Sequence, residues 1–236
     1  MRETSTCFFC GERLVSGKGL LSCMYCGQEE VDNDICPDGH YICRNCREKN
    51  IIELIEDFCL GSNSQDPVNL AIQLMKAPHF KMHCPEHHFL VPAVLLTAYS
   101  NTISAERKLD KWLLAARFRA EKVPGAFCGT HGSCGAAIGT GIFISLLTRA
   151  TPLSGNEWEL SNSQVGRSLL SMASYGGPRC CKRVTFISLL ESGKFLKEKL
   201  GVQLNIPEII TCTFSEENKQ ECLKEKCPFY PANVLS

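Results

Sequence analysis

The sequence has no net charge, no long apolar run and no glycine-rich nucleotide motif following a strand. With 25 basic and 25 acidic residues, it offers no overall field that would attract nucleic acid or an anionic membrane. Its longest apolar run, 135–147, is too short to span a bilayer. The missing nucleotide fingerprint leaves a methyltransferase without support.

The first residues, MRETSTCFFCGE, also lack the apolar stretch of an export signal, so we expect a cytoplasmic protein. That compartment keeps thiols reduced, which favours bound metal over disulfides as the role of the 16 cysteines. A cysteine can also serve as a small buried apolar residue. This role suits Cys59, on the apolar face of a predicted helix, but it cannot account for so many thiols.

Helical spacing of apolar residues recurs along the chain, whereas β-branched alternation is scarce. The sequence therefore predicts a mainly α fold. A small cysteine-rich module of the treble-clef or cross-brace type, with its trailing helix, would cover residues 1–60. A mainly helical domain rich in Cys and His would cover residues 68–236. The predicted boundary is the loop 61–67, which contains Gly, Ser, Asn and Pro.

Eight potential metal ligands near the N-terminus form four close pairs. They are Cys7, Cys10, Cys23, Cys26, Cys36, His40, Cys43 and Cys46. A C-x2-C-G turn lets two thiolates face one ion, and its glycine accommodates the tight backbone. Four pairs make two tetrahedral sites, and we expect two zinc ions because so short a segment buries too little core to fold alone. Fully ligated ions are structural, so the module is expected to dock a protein partner.

The pairing of these ligands is open at this point. Sequential sharing gives one site with four Cys and a second with three Cys and one His. Cross-brace sharing joins the first pair to Cys36 and His40, and the second to Cys43 and Cys46. The G-H-x-x-C-x-x-C stretch resembles the middle of a RING-type finger, which favours the cross-brace. The order of the pairs gives no support for ubiquitin-ligase activity.

A histidine block follows in the helical region, with His83, Cys84, Glu86, His87 and His88 close together. Pro85 prevents a regular helix through the first of these residues but can begin the next helix. We expect Glu86, His87 and His88 to be catalytic, with the histidines moving protons, and His83 to bind a cofactor. The alternative is a solvated, polar helix start.

A loop with glycines at 129, 132 and 135 surrounds Cys128 and Cys134 and precedes a helix. Free amides at a helix start lower the pKa of a nearby thiol. We therefore expect Cys134 to be a catalytic thiolate and Cys128 to bind a cofactor. The alternative is a structural loop before a tight helix–helix contact, which the small residues 135–141 would permit.

Five further cysteines lie towards the C-terminus and are expected to bind a cofactor: Cys180, Cys181, Cys212, Cys222 and Cys227. Uneven loop spacing and a proline after the last cysteine are typical of iron–sulfur ligation. The three tail thiols need a fourth ligand, for which Cys180 and Cys181 are the nearest candidates. A third zinc ion and a metal-free tail are the alternatives.

Four blocks of the sequence together resemble an uncharacterised cysteine-rich family catalogued as domain of unknown function 5714. The blocks are MHCPEHH (82–88), CGTHGSCGAAIG (128–139), GGPRCCKR (176–183) and ECLKEKCP (221–228). The resemblance covers roughly residues 70–230. It implies microbes with anaerobic metabolism, sometimes with methyltransferase or radical-type domains alongside. It supplies no established activity.

Taken together, these patterns predict a metalloprotein, iron–sulfur or mixed-metal, that acts in sulfur or metallocofactor chemistry. A small-molecule substrate is compatible with this hypothesis, whereas nucleic acid is not favoured because acidic residues offset the basic ones in the module. Two other hypotheses remain. One is a zinc-dependent adaptor without enzymatic activity, and the other is a redox-sensing regulator.

Overall fold

The computed structural model describes residues 6–105 and 108–234, without the side chains of Gln220 and Val234. It begins with an antiparallel hairpin of β1 (Val15–Ser22) and β2 (Glu29–Ile35). The register runs from Val15 opposite Ile35 to Ser22 opposite Glu29. The sequence did not predict this hairpin. Its apolar side chains are largely exposed, so the alternation that marks a half-buried strand is missing.

Helices make up most of the remaining described chain, so the predicted fold class is confirmed. They are α1 (Arg44–Glu48), α2 (Ile51–Gly61), α3 (Pro67–Met75), α4 (Glu86–Thr102), α5 (Leu109–Ala120), α6 (Phe127–Thr130), α7 (Gly135–Thr148), α8 (Asn156–Ala173), α9 (Cys181–Leu200) and α10 (Pro231–Val234). Two short 3-10 helices, Lys219–Glu221 and Lys224–Lys226, lie in the tail.

Helix α4 lies at the centre of the helical region. Every residue from 89 to 98 is buried, which is typical of a helix surrounded by protein on all sides. It packs against α2, α3, α5, α7 and α9. Because its first turn holds Glu86, His87 and His88, this central position takes these two histidines towards the interior.

The small residues of α7 allow it to approach its neighbours closely. A Cβ on Gly139 would lie 2.9 Å from Cδ of Pro92 and 3.0 Å from the carbonyl oxygen of His88. A Cβ on Gly141 would lie 2.4 Å from Cγ2 of Val165 in α8. The predicted tight helix–helix contact is therefore present, and it fixes the loop before α7 against α4.

The cysteine-rich module shares its apolar core with the helices. Cys23, Tyr25 and Tyr41 belong to the same buried cluster as α2, α3 and α4. The hydroxyl of Tyr25 donates to the carbonyl of Gln73 at 3.0 Å, and its ring meets Phe58 edge to face. The division at loop 61–67 stays a prediction. Within the described residues, no helix combines the length and hydropathy that crossing a membrane requires.

The contact between α7 and α8 generates a paired prediction. We expect Gly141→Ala to destabilise the protein by about 1–3 kcal/mol, because the stiff Val165 side chain must move. Gly166→Ala in α8 is the matched control, since a Cβ there meets nothing within 4 Å. It should stabilise by about 0.5–1 kcal/mol through the helical preference of alanine. Denaturant unfolding measures both, and equal effects would contradict the packing.

Candidate metal centres

The module gathers its eight potential ligands into two compact groups. One holds Cys7, Cys10, Cys36 and His40, and the other holds Cys23, Cys26, Cys43 and Cys46. In each group the ligand atoms lie within 4.8 Å of one another. This is the cross-brace arrangement, and the sequential one is not formed. Both groups can hold a metal ion.

The spacing of the sulfur atoms in the module suits a single ion. The Sγ atoms of Cys10 and Cys36 are 3.6 Å apart, and those of Cys26 and Cys43 are 3.7 Å apart. A tetrahedral ion with metal–sulfur bonds of about 2.3 Å separates its sulfurs by about 3.8 Å. The observed distances therefore require almost no rearrangement on metal binding.

Tight turns hold the module thiols by hydrogen bonds from backbone amides to sulfur. The amide of Phe9 donates to Sγ of Cys7 at 3.4 Å. Gly11 and Gly27, one residue after each C-x2-C pair, have φ of +80° and +71°, which only glycine adopts without strain. Such amides stabilise negative charge on the sulfur, as a thiolate ligand requires.

The thiols of one group also compete for negative charge. Burial raises the pKa of Cys23, but the amides of Cys43 and Tyr25 outweigh it and leave this pKa below its usual value. Burial and the neighbouring thiols raise the pKa of Cys46. A bound cation would remove this competition, because it stabilises all four ligands in their deprotonated form.

A second thiol set joins the start of α9 to the tail. Cys212 interacts electrostatically with Cys180, Cys222 and Cys227. The amide of Phe214 donates to Sγ of Cys212 at 3.4 Å. Cys222 and Cys227 each accept the same kind of bond from the amide two residues later, and Cys180 accepts one from the amide three residues later. We call these four cysteines the tail thiol set.

The tail thiol set differs from the module in its spacing. In the part of the chain that the structure describes, only the two module groups bring three or more ligand atoms within 4.8 Å of one another. The tail thiols are therefore adjacent without being arranged around one ion. Each of them nevertheless has the amide-to-sulfur bonding that prepares the module thiols for metal.

The two adjacent cysteines at the start of α9 contact different parts of the protein. Cys180 interacts with Cys227 of the tail. Cys181 instead accepts a hydrogen bond from the amide of Cys84 and interacts with Cys134. Burial raises the pKa of Cys181 to about 11. Of the two candidates for the fourth ligand of the tail, the structure brings Cys180 to it.

A small cavity of about 90 Å³ lies where the histidine block, the Cys128–Cys134 loop and the start of α9 meet. The predicted site residues that line it are His83, His87, His88, Cys128, Cys134 and Cys181. Glu86 does not line it, and one of its carboxylate oxygens is buried without a hydrogen-bond partner. Three motifs that are far apart in sequence thus share one cavity, which we call the histidine cavity.

Each histidine of this cavity is fixed by an oxygen on one side of its ring. Nε2 of His83 lies 2.9 Å from Oδ1 of Asn218 and 2.7 Å from Oε2 of Glu221, which connects the tail to the segment before α4. Nδ1 of His87 lies 3.0 Å from the carbonyl oxygen of Cys84. Nδ1 of His88 lies 3.0 Å from the carbonyl oxygen of Val123. Burial lowers the pKa of His87 and of His88 below the usual value.

The surroundings of Cys134 act on its thiol in two opposite directions, and its catalytic role stays a prediction. The amides of Ala136 and Ala137 at the start of α7 do reach the sulfur, as expected. Burial is the larger effect, however, and it raises the pKa of Cys134. A bound cation would be needed to make this thiol anionic near neutral pH.

Sequence reasoning missed Lys182. Its side chain is fully buried, with Nζ 3.4 Å from the carbonyl oxygen of Met75. The rings of Phe80 and Phe214 lie 4.5 Å and 4.9 Å from Nζ. Burial lowers the pKa of Lys182 to about 8, while Cys84 and Glu217 act in the opposite direction. The available signal was that Lys182 lies four residues before Phe186, on the same face of helix α9 as this buried residue.

A larger cavity of about 520 Å³ adjoins the histidine cavity. It extends over the end of α8 and the turn 176–179, and it shares Cys128, Cys134, Arg179 and Cys181 with the smaller cavity. This volume accommodates a small molecule. Cys134 and Cys181 thus face both the histidines and a space large enough for a substrate.

The comparisons with known proteins identify a family but no activity. A family model described as "Family of unknown function (DUF5714)" matches residues 55–230, so the chain belongs to that family. The match includes the histidine block, the Cys128–Cys134 loop, the start of α9 and the tail cysteines. No curated protein and no solved structure matches the chain.

Two buried cysteines of the same size provide a test of the module. We expect Cys23→Ala to lose about one bound metal ion per chain, because a tetrahedral site needs all four ligands. Cys59→Ala should keep the full metal content and cost about 1 kcal/mol, since Cys59 is fully buried outside both groups. Elemental analysis measures the metal content of both variants, and thermal unfolding measures their stability. Metal loss in the Cys59 variant alone would contradict the assignment.

Proposed function

We propose that this member of DUF5714 is a metal-dependent protein of sulfur or metallocofactor chemistry. Two zinc ions would stabilise its module, and an iron–sulfur cluster would be bound by Cys180, Cys212, Cys222 and Cys227. The observation that carries the proposal is that the tail thiol set repeats the amide-to-sulfur bonding of the module.

Zinc is the metal that best fits the module. Thiolate and imidazole donors in tetrahedral groups of four are typical of structural zinc, which needs no open coordination position. The short hairpin and α1 contribute few buried apolar residues of their own. Metal binding would therefore supply much of the free energy that keeps the module folded.

The wider spacing of the tail thiol set favours a cluster over a single ion. In a cluster the thiolates bind different iron atoms, so their sulfurs stay farther apart than around one zinc ion. Pro228 directly follows Cys227, which is a frequent feature of cluster ligation. The buried cations Lys182 and Arg183 beside Cys180 would offset the negative charge of a thiolate-bound cluster.

The two cavities support a reaction beside this cluster. Cys134 and Cys181 lie between the histidine cavity and the larger cavity, so a substrate in the latter would reach both thiols. Once deprotonated, a thiol at this position can attack the outer sulfur of a persulfide substrate and carry it as its own persulfide, while the S–S bond of the substrate breaks and the substrate leaves as a thiolate. Glu86, which has an unpartnered oxygen, and the neutral His87 and His88 are the groups available to accept that proton.

A second candidate function, that of an adaptor, is favoured by the exposed apolar residues of the module. Phe8, Leu20 and Val31 are each more than half exposed although the module is otherwise compactly held. Exposed apolar side chains on one small module are suited to contact with another protein. In this function the metals would be purely structural.

Metal analysis of protein purified without oxygen tests the proposed cluster. We expect iron and acid-labile sulfide in matching amounts alongside zinc, together with visible absorption. Cys212→Ala should abolish iron, sulfide and absorption while zinc in the module persists. Cys59→Ala is the matched control and should retain all of them.

Zinc without iron or sulfide in the wild-type protein would contradict the cluster and favour the adaptor. Iron that survives in the Cys212 variant would instead show that the cluster, if present, has other ligands.

A further inference from the structure

We propose that the histidine cavity binds one divalent transition-metal ion, separate from the module ions and from the tail thiol set. Its donors would be the imidazoles of His87 and His88, with His83 beside them, and thiolates from Cys134 and Cys181. The proposal rests on the geometry of this cavity and holds whether or not the tail binds a cluster.

The hydrogen bonds fix which ring nitrogen of each histidine carries the proton. A carbonyl or carboxylate oxygen only accepts, so the nitrogen facing it must donate. His87 and His88 therefore carry hydrogen on Nδ1, towards the carbonyls of Cys84 and Val123. His83 carries it on Nε2, towards Glu221.

In a neutral imidazole the opposite nitrogen then has a free lone pair. His87 is 1% exposed, and its Nε2 is buried without a hydrogen-bond partner. Nδ1 of His83 is buried without a partner as well. An unpartnered polar atom in the interior is costly, and a bound ion would remove that cost.

This pattern is the one that metal-ligating histidines have. Their non-ligating N–H donates to a carbonyl or carboxylate, which fixes the ring and makes the other nitrogen a better ligand. Three histidines that line one cavity all follow the pattern here. His87 lines the cavity with one ring nitrogen held by a carbonyl oxygen and the other buried without a partner, as a ligand to an ion in this cavity would be.

The charges around the cavity are consistent with a cation held by thiolates. Lys182 is buried near Cys84 and Cys181, and the carboxylate of Glu217 acts on its charge without forming an ion pair with it. A buried ammonium needs nearby negative charge. Thiolates held by a divalent ion would add to the negative charge of Glu217, because such an ion keeps buried thiols deprotonated. Imidazole and thiolate together suit zinc, cobalt or iron in the divalent state.

The backbone at Gly135 is adapted to the ring of His88. A Cβ at this position would lie 2.1 Å from Cδ2 and 2.3 Å from Nε2 of that ring. Only glycine permits this approach of α7 to the nitrogen that is free to ligate. The donors of the cavity are not yet within 4.8 Å of one another, so binding requires the thiol side chains to turn inwards.

Cobalt substitution of the full-length protein tests the site, with Co²⁺ as the probe. We expect the wild-type protein to bind about one Co²⁺ per chain beyond the two module sites, with visible bands of a mixed nitrogen and sulfur donor set. His87→Gln and His88→Gln should each lose about one equivalent, while iron and sulfide stay unchanged. His79→Gln is the matched control, because His79 lies four residues before His83 in the sequence but is exposed and does not line the cavity.

Gly135→Ala provides a second test that leaves every proposed ligand in place. Its Cβ should displace His88 and weaken Co²⁺ binding at this site by at least about tenfold. Gly129→Ala in the same loop meets nothing within 4 Å and should bind as the wild type does. If His87→Gln does not fold, Co²⁺ binding by His88→Gln and Gly135→Ala tests the proposed site.

Two results would overturn the proposal. One is an unchanged Co²⁺ content in His88→Gln and Gly135→Ala. The other is the joint loss of iron, sulfide and Co²⁺ in either variant, which would mean that the cavity and the tail hold a single cofactor. Absence of iron from the wild-type protein would count against the tail cluster alone and leave this test intact.

Discussion

The ammonium group of Lys182 is buried at the start of α9. It lies beside two aromatic rings and interacts electrostatically with three thiols. A charge in this position is tolerated only if negative charge lies nearby. The same turn of helix sends Cys180 towards the tail and Cys181 towards the histidine cavity. The two candidate centres of the helical region are thus neighbours around one buried cation, and their ionisation states depend on each other.

The module and the helical region bring thiols together by different means. In the module, short C-x2-C turns with glycine place two ligands side by side, so local backbone geometry determines the position of each ligand pair. In the helical region, the thiols and imidazoles come from distant segments and meet because α4, α7 and α9 pack closely. Helix packing sets their positions, and the small residues of α7 make the close approach possible.

The sequence was sufficient for the mainly helical fold and for the four ligand pairs of the module, because both depend on short-range patterns. The cross-brace needed the structure, since spacing alone allows two pairings. The hairpin was missed because its apolar residues are exposed. Lys182 was missed because a lysine is normally at the surface. The pKa of Cys134 depends on how deeply the thiol is buried, which the helix-start pattern in the sequence does not contain.

Anomalous X-ray diffraction at the zinc and iron absorption edges, from crystals of protein purified without oxygen, tests the central claim most directly. The account predicts two zinc positions in the module, iron between the tail and Cys180, and a separate divalent ion beside His87 and His88. Anomalous density confined to the module, with Cys180 and the cavity histidines free of metal, would contradict it.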